Sequence, residues 1–444
     1  MNTVLGIVLV LGVMILVHEW GHFIVARLFG VRVDVFSIGF GPRLFGWKRG
    51  ATDYRISALP LGGYVRMAGQ DLSEIDSGER GPTGAPDEVM SKKRWQRALI
   101  SFAGPAVNLV MPILLLGGFY AIKGFPYQAF LEKPVILSEL PSTGALAKAG
   151  VTDGDKVVAI NGTPTPDWNA ARTVLNEIPA GATFTVAVSG KGATRDIAVN
   201  GAELKSGEQL LGYLPEPAIV GQLTSGMPAK RAGLKKDDVI RAVNGTPVHN
   251  WQQCVDLIKQ SGGGTLQMDV LREGTPLSLE IHPVQDKDEE GQTVWKIGVG
   301  PGGAWLFKPA TFGSAVRTAT VETVEQTGAL LRVLGKLFTG KLSVRQLQGF
   351  VGIAVRAGQA VQNGPVDTIT LMAVISLNLG VLNLLPIPIL DGGHILLLSI
   401  EGIRRRDLSL AFKERFIQVG FVFLLLLFAF VMYNDVRHLL PTHT

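Results

Sequence analysis

Four stretches of this 444-residue chain are apolar for the length that crosses a bilayer: 2–26, 98–122, 368–390 and 416–434. In hydrocarbon every backbone N–H and C=O must be hydrogen-bonded internally, so each stretch is constrained to be a helix. A mean hydropathy of +0.28 and only 18% charged residues agree with a chain largely in lipid. The first stretch lacks a basic leader and a small-residue cleavage site, so it is expected to be retained. It ends on His18-Glu19-Trp20-Gly21-His22, where ionisable groups are costly and need a reason to be there.

The spacing supplies the reason. Residues four apart share one helix face, so His18 and His22 aim two imidazoles at one Zn²⁺, with Glu19 beside them as general base. A catalytic zinc takes three protein ligands, so one is missing. The single cysteine, Cys254, fits no thiolate zinc pattern and excludes an internal disulfide. His249 and His282 fall between the spans, and His438 and His443 lie past the last one. Near the apolar stretches only Asp391 and His394 remain. Asp391 ends the run Leu384-Leu385-Pro386-Ile387-Pro388-Ile389-Leu390, where two prolines interrupt a helix and turn a carboxylate inward. His394 is the second choice, or a hydrogen-bond donor to the acid. The chemistry such a set permits is metal-assisted peptide hydrolysis, Glu19 taking a proton and returning it to the leaving amine. Asn378 and Asn383, ahead of Asp391, are candidate donors to an oxyanion, or else interhelical hydrogen-bonding residues.

Lys and Arg crowd two loops, 27–97 and the one carrying Arg404, Arg405, Arg406, Lys413 and Arg415. Positive residues mark the cytoplasmic side, which puts the long insert 123–367 outside and runs the first and third spans in the same direction. His18, His22 and Asp391 then share a depth in the cytoplasmic half of the bilayer. Within loop 27–97, strands alternate through Val33, Val35 and Ile38 and again through Tyr54, Ile56 and Ala58. Gly39, Gly41, Gly62 and Gly63 are expected there as turns or bulges and as substrate-binding positions. This segment is read as β structure dipping back into the membrane with an edge that takes an unwound substrate as an added strand. Ser73 to Glu88, polar and rich in Gly and Pro, reads as mobile.

The insert repeats itself. Pro134, Gly150, Asp155, Asn161, Gly162, Thr163, Pro164 and Trp168 recur 83 positions on as Pro217, Gly233, Asp238, Asn244, Gly245, Thr246, Pro247 and Trp251. Both copies resemble PDZ domains, expected over 126–215 and 216–303 as α+β modules. Residues 304–367 are assigned an amphipathic helix, 311–339, lying on the outer membrane face, and a linker.

The HEWGH motif, the N-x-L-P-x-P-x-L-D-G run from Asn383 to Gly392, the Ser37-Ile38-Gly39-Phe40-Gly41 and Pro60-Leu61-Gly62-Gly63-Tyr64-Val65 stretches and the paired PDZ-like copies together resemble the site-2 protease family, over almost the whole chain. One departure is Gln348 to Ile353, ahead of the third span, where relatives tend to carry Ser-Gly-Pro-Ile. The resemblance implies His18, His22 and Asp391 as zinc ligands and Glu19 as base. It also implies a bacterial inner-membrane location and substrates that are single-pass membrane proteins, such as an anti-sigma factor already cut on the outer side, or remnant signal peptides.

The expected architecture is therefore a multi-pass α-helical membrane protein: a first helix 1–26, a re-entrant β loop 27–97, a second helix 98–122, two PDZ domains, a third helix 368–400 and a fourth 416–434. A catalytically dead scaffold displaying PDZ domains is the competing class. A transporter is disfavoured by so few spans without a spanning repeat. The modest net charge of +5, with basic residues beside the apolar runs, gives no support to nucleic-acid binding.

Overall fold

Among the described residues of the computed structural model four helices have the length and composition to cross a membrane: Val10–Leu28, Arg94–Lys123, Pro365–Asn383 and Ala411–Tyr433. The structure describes residues 6, 8–69, 83–138, 140, 142, 144–179, 181–190, 193–200, 210–224, 226–287, 293–339 and 349–439. They fall into two units, Met1–Phe125 with Pro309–Thr444, and Pro126–Lys308. Residues 73–82 of the segment read as mobile lie outside the described residues. At its end, Glu88 accepts from the amides of Thr83 and Gly84 at 2.9 and 3.0 Å and is buried, so 83–88 is tied down.

A π-helical turn, Val8–Gly12, leads into α1, Val13–Leu28. Gly30, at φ +67°, ends it: the Gly30 amide donates to Arg27 and that of Val31 reaches back to Ala26, a Schellman closure. Strands β1, Val33–Arg49, and β2, Thr52–Met67, follow as a hairpin. It is folded on itself, so that Phe36 has Cα partners in both Val65 and Tyr54. Register shifts run along β1 from Val33 to Phe45, and Gly39, Gly41 and Gly62 take φ of +90°, +86° and +122° in the sheet. Phe23, Phe36 and Tyr54 pack edge-on or tilted, anchoring the sheet to α1, while Phe40, Leu44, Phe45, Trp47 and Ile56 stay exposed. Helix α2 spans Arg94–Lys123 with Pro105 and Pro112 inside it.

The second unit holds two four-stranded sheets of the same order. In the first, β3 (Lys156–Ile160), β4 (Thr163–Pro164), β5 (Thr183–Gly190) and β6 (Ala193–Asn200) lie in the order β4-β3-β5-β6, with helix α3, Trp168–Glu177, inserted after β4. The second repeats this with β7 (Val239–Val243), β8 (Thr246–Pro247), α4 (Trp251–Gln260), β9 (Leu266–Arg272) and β10 (Thr275–Ile281). The sequence repeat is a structural repeat down to single contacts. Asn161 and Asn244 sit at φ +49° and +50°, each followed by a positive-φ glycine, the two-residue hairpin geometry that Asn-Gly selects. Each helix is N-capped one residue before its Trp, by Asp167 and Asn250. The copies meet where Tyr213 donates to Asp256 at 2.6 Å.

The membrane unit resumes with α5, Phe312–Phe338, capped by Thr311. Its Ala315 and Ala319 are buried against Leu116, Phe119 and Tyr120 of α2, and Tyr120 donates to Glu322 at 2.8 Å. The amphipathic helix therefore packs against the second span rather than simply resting on lipid. Helix α6, Phe350–Asn363, was not anticipated and covers most of the stretch where the family departure lies; Gln348 is outside the described residues.

The third apolar stretch is not one helix over 368–400. It is α7, Pro365–Asn383, a turn, and α8, Asp391–Arg404. Pro386 and Pro388 cannot donate to a helix, and Ile389 at φ +79° completes the reversal. Gly392 and Gly393 let α8 start against that turn, since a Cβ on either would lie 2.2 or 2.3 Å from the carbonyl oxygens of Leu385 and Ile387. Helix α9, Leu410–Leu439, comes last. Fully buried Glu401 of α8 binds Lys413 of α9 at 2.6 Å and lies 3.6 Å from Arg97 of α2, clasping the three helices.

Candidate active site

Helical spacing stacks His18 and His22 on one face of α1, both 8% exposed. That face meets α2 at unusually close range. A Cβ on Gly21 would lie 2.6 Å from the carbonyl oxygen of Ala103, and one on Gly104 would lie 2.3 Å from His22 Nε2. Two glycines thus let the helices touch where the imidazoles sit. His22 Nδ1 donates to the Ile100 carbonyl at 2.8 Å, which fixes the tautomer and leaves Nε2 with a free lone pair.

The turn after α7 delivers Asp391 to the same place. Its Oδ2 lies 3.2 Å from His18 Nε2 and its Oδ1 3.4 Å from His22 Nε2, while the two Nε2 atoms are 3.2 Å apart. One donor atom from each of the three residues falls within 4.8 Å of the others. Two imidazole nitrogens and one carboxylate oxygen form a donor set that zinc takes in catalytic sites, leaving a position for water, so the residues present fit that ion. His394, one turn along α8, is outside the group.

Glu19, half-buried, faces the hairpin. The Val65 amide faces its carboxyl, and a Cβ on Gly63 would lie 3.2 Å from its Cγ. Gly62 instead packs under Phe40, a Cβ at Gly41 would meet nothing within 4 Å, and all three of Gly39, Gly41 and Gly62 take positive φ in the sheet. Of the two asparagines, Asn383 Nδ2 lies 3.3 Å from His18 Nε2. No hydrogen bond among the described residues joins Asn378 to the cluster.

Three participants were missed from the sequence. The Ile100 carbonyl is a backbone atom, and no side chain announces it. Gly104 looks like any helix glycine in a membrane span. Asn108, fully buried on α2 with Nδ2 3.2 Å from His18 Nδ1, did carry a signal, as a polar residue in the middle of the uncharged stretch.

A helical histidine pair joined by an acid from a distant turn, all within apolar helices, defines a membrane metallopeptidase. The chain belongs to Peptidase family M50, whose model matches residues 6–427. It is similar to the regulator of sigma-E protease RseP of Escherichia coli, 34% identical over 97% of this chain and 98% of that one. It is also 32% identical to protease RseP of Yersinia pestis, over 97% of this chain and 98% of the other. A Neisseria meningitidis protein named as a zinc metalloprotease is 32% identical over 99% of this chain and 100% of its own length. The protein is a membrane zinc metalloprotease.

Proposed function

We propose that His18, His22 and Asp391 hold the zinc ion and that Glu19 is the proton carrier of an endopeptidase acting on transmembrane segments. The observation that carries this is the convergence of His18 and His22 with Asp391, 369 positions further on than His22, within 4.8 Å. When bound, zinc supplies a Lewis acid that acidifies water and polarises a carbonyl. Glu19 then takes a proton from the attacking water and returns it to the leaving amine nitrogen. The 3.3 Å separation of Asn383 Nδ2 from His18 Nε2 supports Asn383 as the donor to the oxyanion, with Asn378 a second candidate.

A substrate helix hides its amides, so it must unwind to be cut. The β2 edge at Gly63 to Val65, whose Val65 amide already points at Glu19, offers backbone groups to an extended segment. The basic loops support a cytoplasmic-side site and an outer second unit. The name of the Escherichia coli relative supports a protease that takes part in regulating sigma-E, and the resemblance to site-2 proteases supports an inner-membrane location and single-pass substrates such as an anti-sigma factor shortened by a first outer cut. The repeated sheet-and-helix units support two PDZ domains, 126–215 and 216–303. We favour for them a size filter against substrates with bulky outer domains over capture of a C-terminal carboxylate, since no clear Gly-Leu-Gly-Phe type loop stands at the expected place. Purified protein in liposomes should cut a single-pass substrate with a short outer tail, and Glu19→Gln should not. Equal cleavage by the variant would remove Glu19 from the chemistry, and a wild type that neither cleaves nor binds zinc would leave the scaffold reading.

A further inference from the structure

Asn108 spends a buried amide on one histidine. It is fully buried in the middle of α2, and its Nδ2 lies 3.2 Å from His18 Nδ1 while its Oδ1 has no partner among the described residues. An amide buried in an apolar bundle costs free energy unless it is used, so its placement behind a candidate ligand is informative. Its backbone is pinned as well: the Asn108 carbonyl accepts from Ser376 Oγ at 2.9 Å, and Ser376 on α7 is itself fully buried.

The two amide ends dictate opposite tautomers of His18. With Nδ2 toward Nδ1, the imidazole must accept there and carry its proton on Nε2, the atom that faces Asp391 Oδ2 at 3.2 Å. That tautomer serves a histidine that donates to the acid, and it has no lone pair for a cation or for the amide of Asn383, whose Nδ2 lies 3.3 Å from the same Nε2. With the amide turned over, Oδ1 accepts the Nδ1 proton and Nε2 is bare. Amide ends are assigned from the hydrogen-bond network, so both placements fit the same position. In either one an amide atom is left without a protein partner, so satisfaction of the amide does not choose between them; His18 does. His22 shows the second arrangement already, with a carbonyl oxygen of α2 behind its Nδ1. With the Asn108 amide turned over, α2 would place an oxygen acceptor behind each imidazole, Ile100 for His22 and Asn108 for His18.

We infer that Asn108 is the positioning residue of His18: its Oδ1 accepts the Nδ1 proton when zinc is held, selecting the tautomer that presents Nε2, and the amide turns over when the site is empty. This rests on the zinc reading of His18, His22 and Asp391. An oxygen behind a ligating histidine sets ring orientation and basicity, and its loss typically costs about 10–100-fold in metal affinity.

The test is zinc affinity of the full chain in detergent, by competition with a chelator, alongside the melting temperature of the metal-free protein. Asn108→Asp keeps an acceptor of the same shape and Asn108→Leu removes it. Asn108→Ala serves as the second deletion should leucine prevent folding. All three keep the backbone bond to Ser376. Zinc affinity should fall about 10–100-fold in the Leu or Ala variant and stay within a few-fold of wild type in Asp. A merely structural role predicts that metal-free melting falls while the zinc affinities of the Asp and Leu variants move together. That result, or wild-type affinity in Asn108→Leu or Asn108→Ala, overturns the inference. Wild-type protein that binds no zinc would instead sink the zinc reading beneath it.

Discussion

Gly104 of the second span lies directly against His22 of the first, so close that a single added carbon would sit 2.3 Å from Nε2. The place of the His22 imidazole is therefore set by a residue with no functional atom. Gly104→Ala should push the imidazole off its place, at a cost of about 1–3 kcal/mol, or roughly 10–100-fold in zinc affinity. Gly118, on the same helix with nothing within 4 Å of its Cβ position, is the control. Chelator competition compares them, and equal affinities would remove Gly104 from the site.

The β2 edge should matter for cleavage and not for metal. Val65→Pro removes the amide that reaches Glu19 while leaving His18, His22 and Asp391 untouched. Cleavage in liposomes should drop by at least about tenfold with zinc content unchanged. Normal turnover would show that substrate does not use this edge.

Glu401 clasps the ends of three helices, with Lys413 at 2.6 Å and Arg97 at 3.6 Å. Its removal leaves cations inside the protein without their acid. Glu401→Leu should destabilise the membrane unit by about 3–5 kcal/mol, read from chemical unfolding in detergent. A change below about 1 kcal/mol would mean that the clasp holds nothing.

In the second unit Asp238, 1% exposed, should report acid stability. Burial alone would raise its carboxyl, but Arg272, through two bonds of 2.7 Å, and the Lys235 amide hold it below the usual carboxylate range. A lowered folded value means that the stabilisation is complete above about pH 4, the ordinary carboxylate range, and is lost as pH falls through the folded value. Urea midpoints followed by Trp fluorescence should fall less between pH 6 and pH 3 in Asp238→Asn than in wild type. Parallel curves would contradict this. The first copy has Ser189 where the second has Arg272, so Asp155 lacks that partner.

What was legible in the chain was whatever periodicity and composition encode. Helical spacing gave the His18 and His22 pair, apolar length gave the spans, and the 83-residue repeat gave two like modules. Asp391 was reachable because so few charges stand near apolar runs. The break of the third stretch into α7 and α8 was half visible, in Pro386 and Pro388, but a direction of turn is a tertiary fact. Helix α6 was missed because its Arg356 and Gln359 interrupt an apolar pattern that only packing can complete. The supports behind the imidazoles, Ile100 and Gly104, act through backbone and through absence of atoms, which no side-chain pattern records.

The central claim is that one site is assembled from the two ends of the chain. Zinc content of purified wild type, Asp391→Ala and Glu19→Gln tests it most directly. The structure predicts about one ion per chain in wild type and in Glu19→Gln, and loss of zinc in Asp391→Ala. An Asp391→Ala protein that keeps its full zinc content would contradict it.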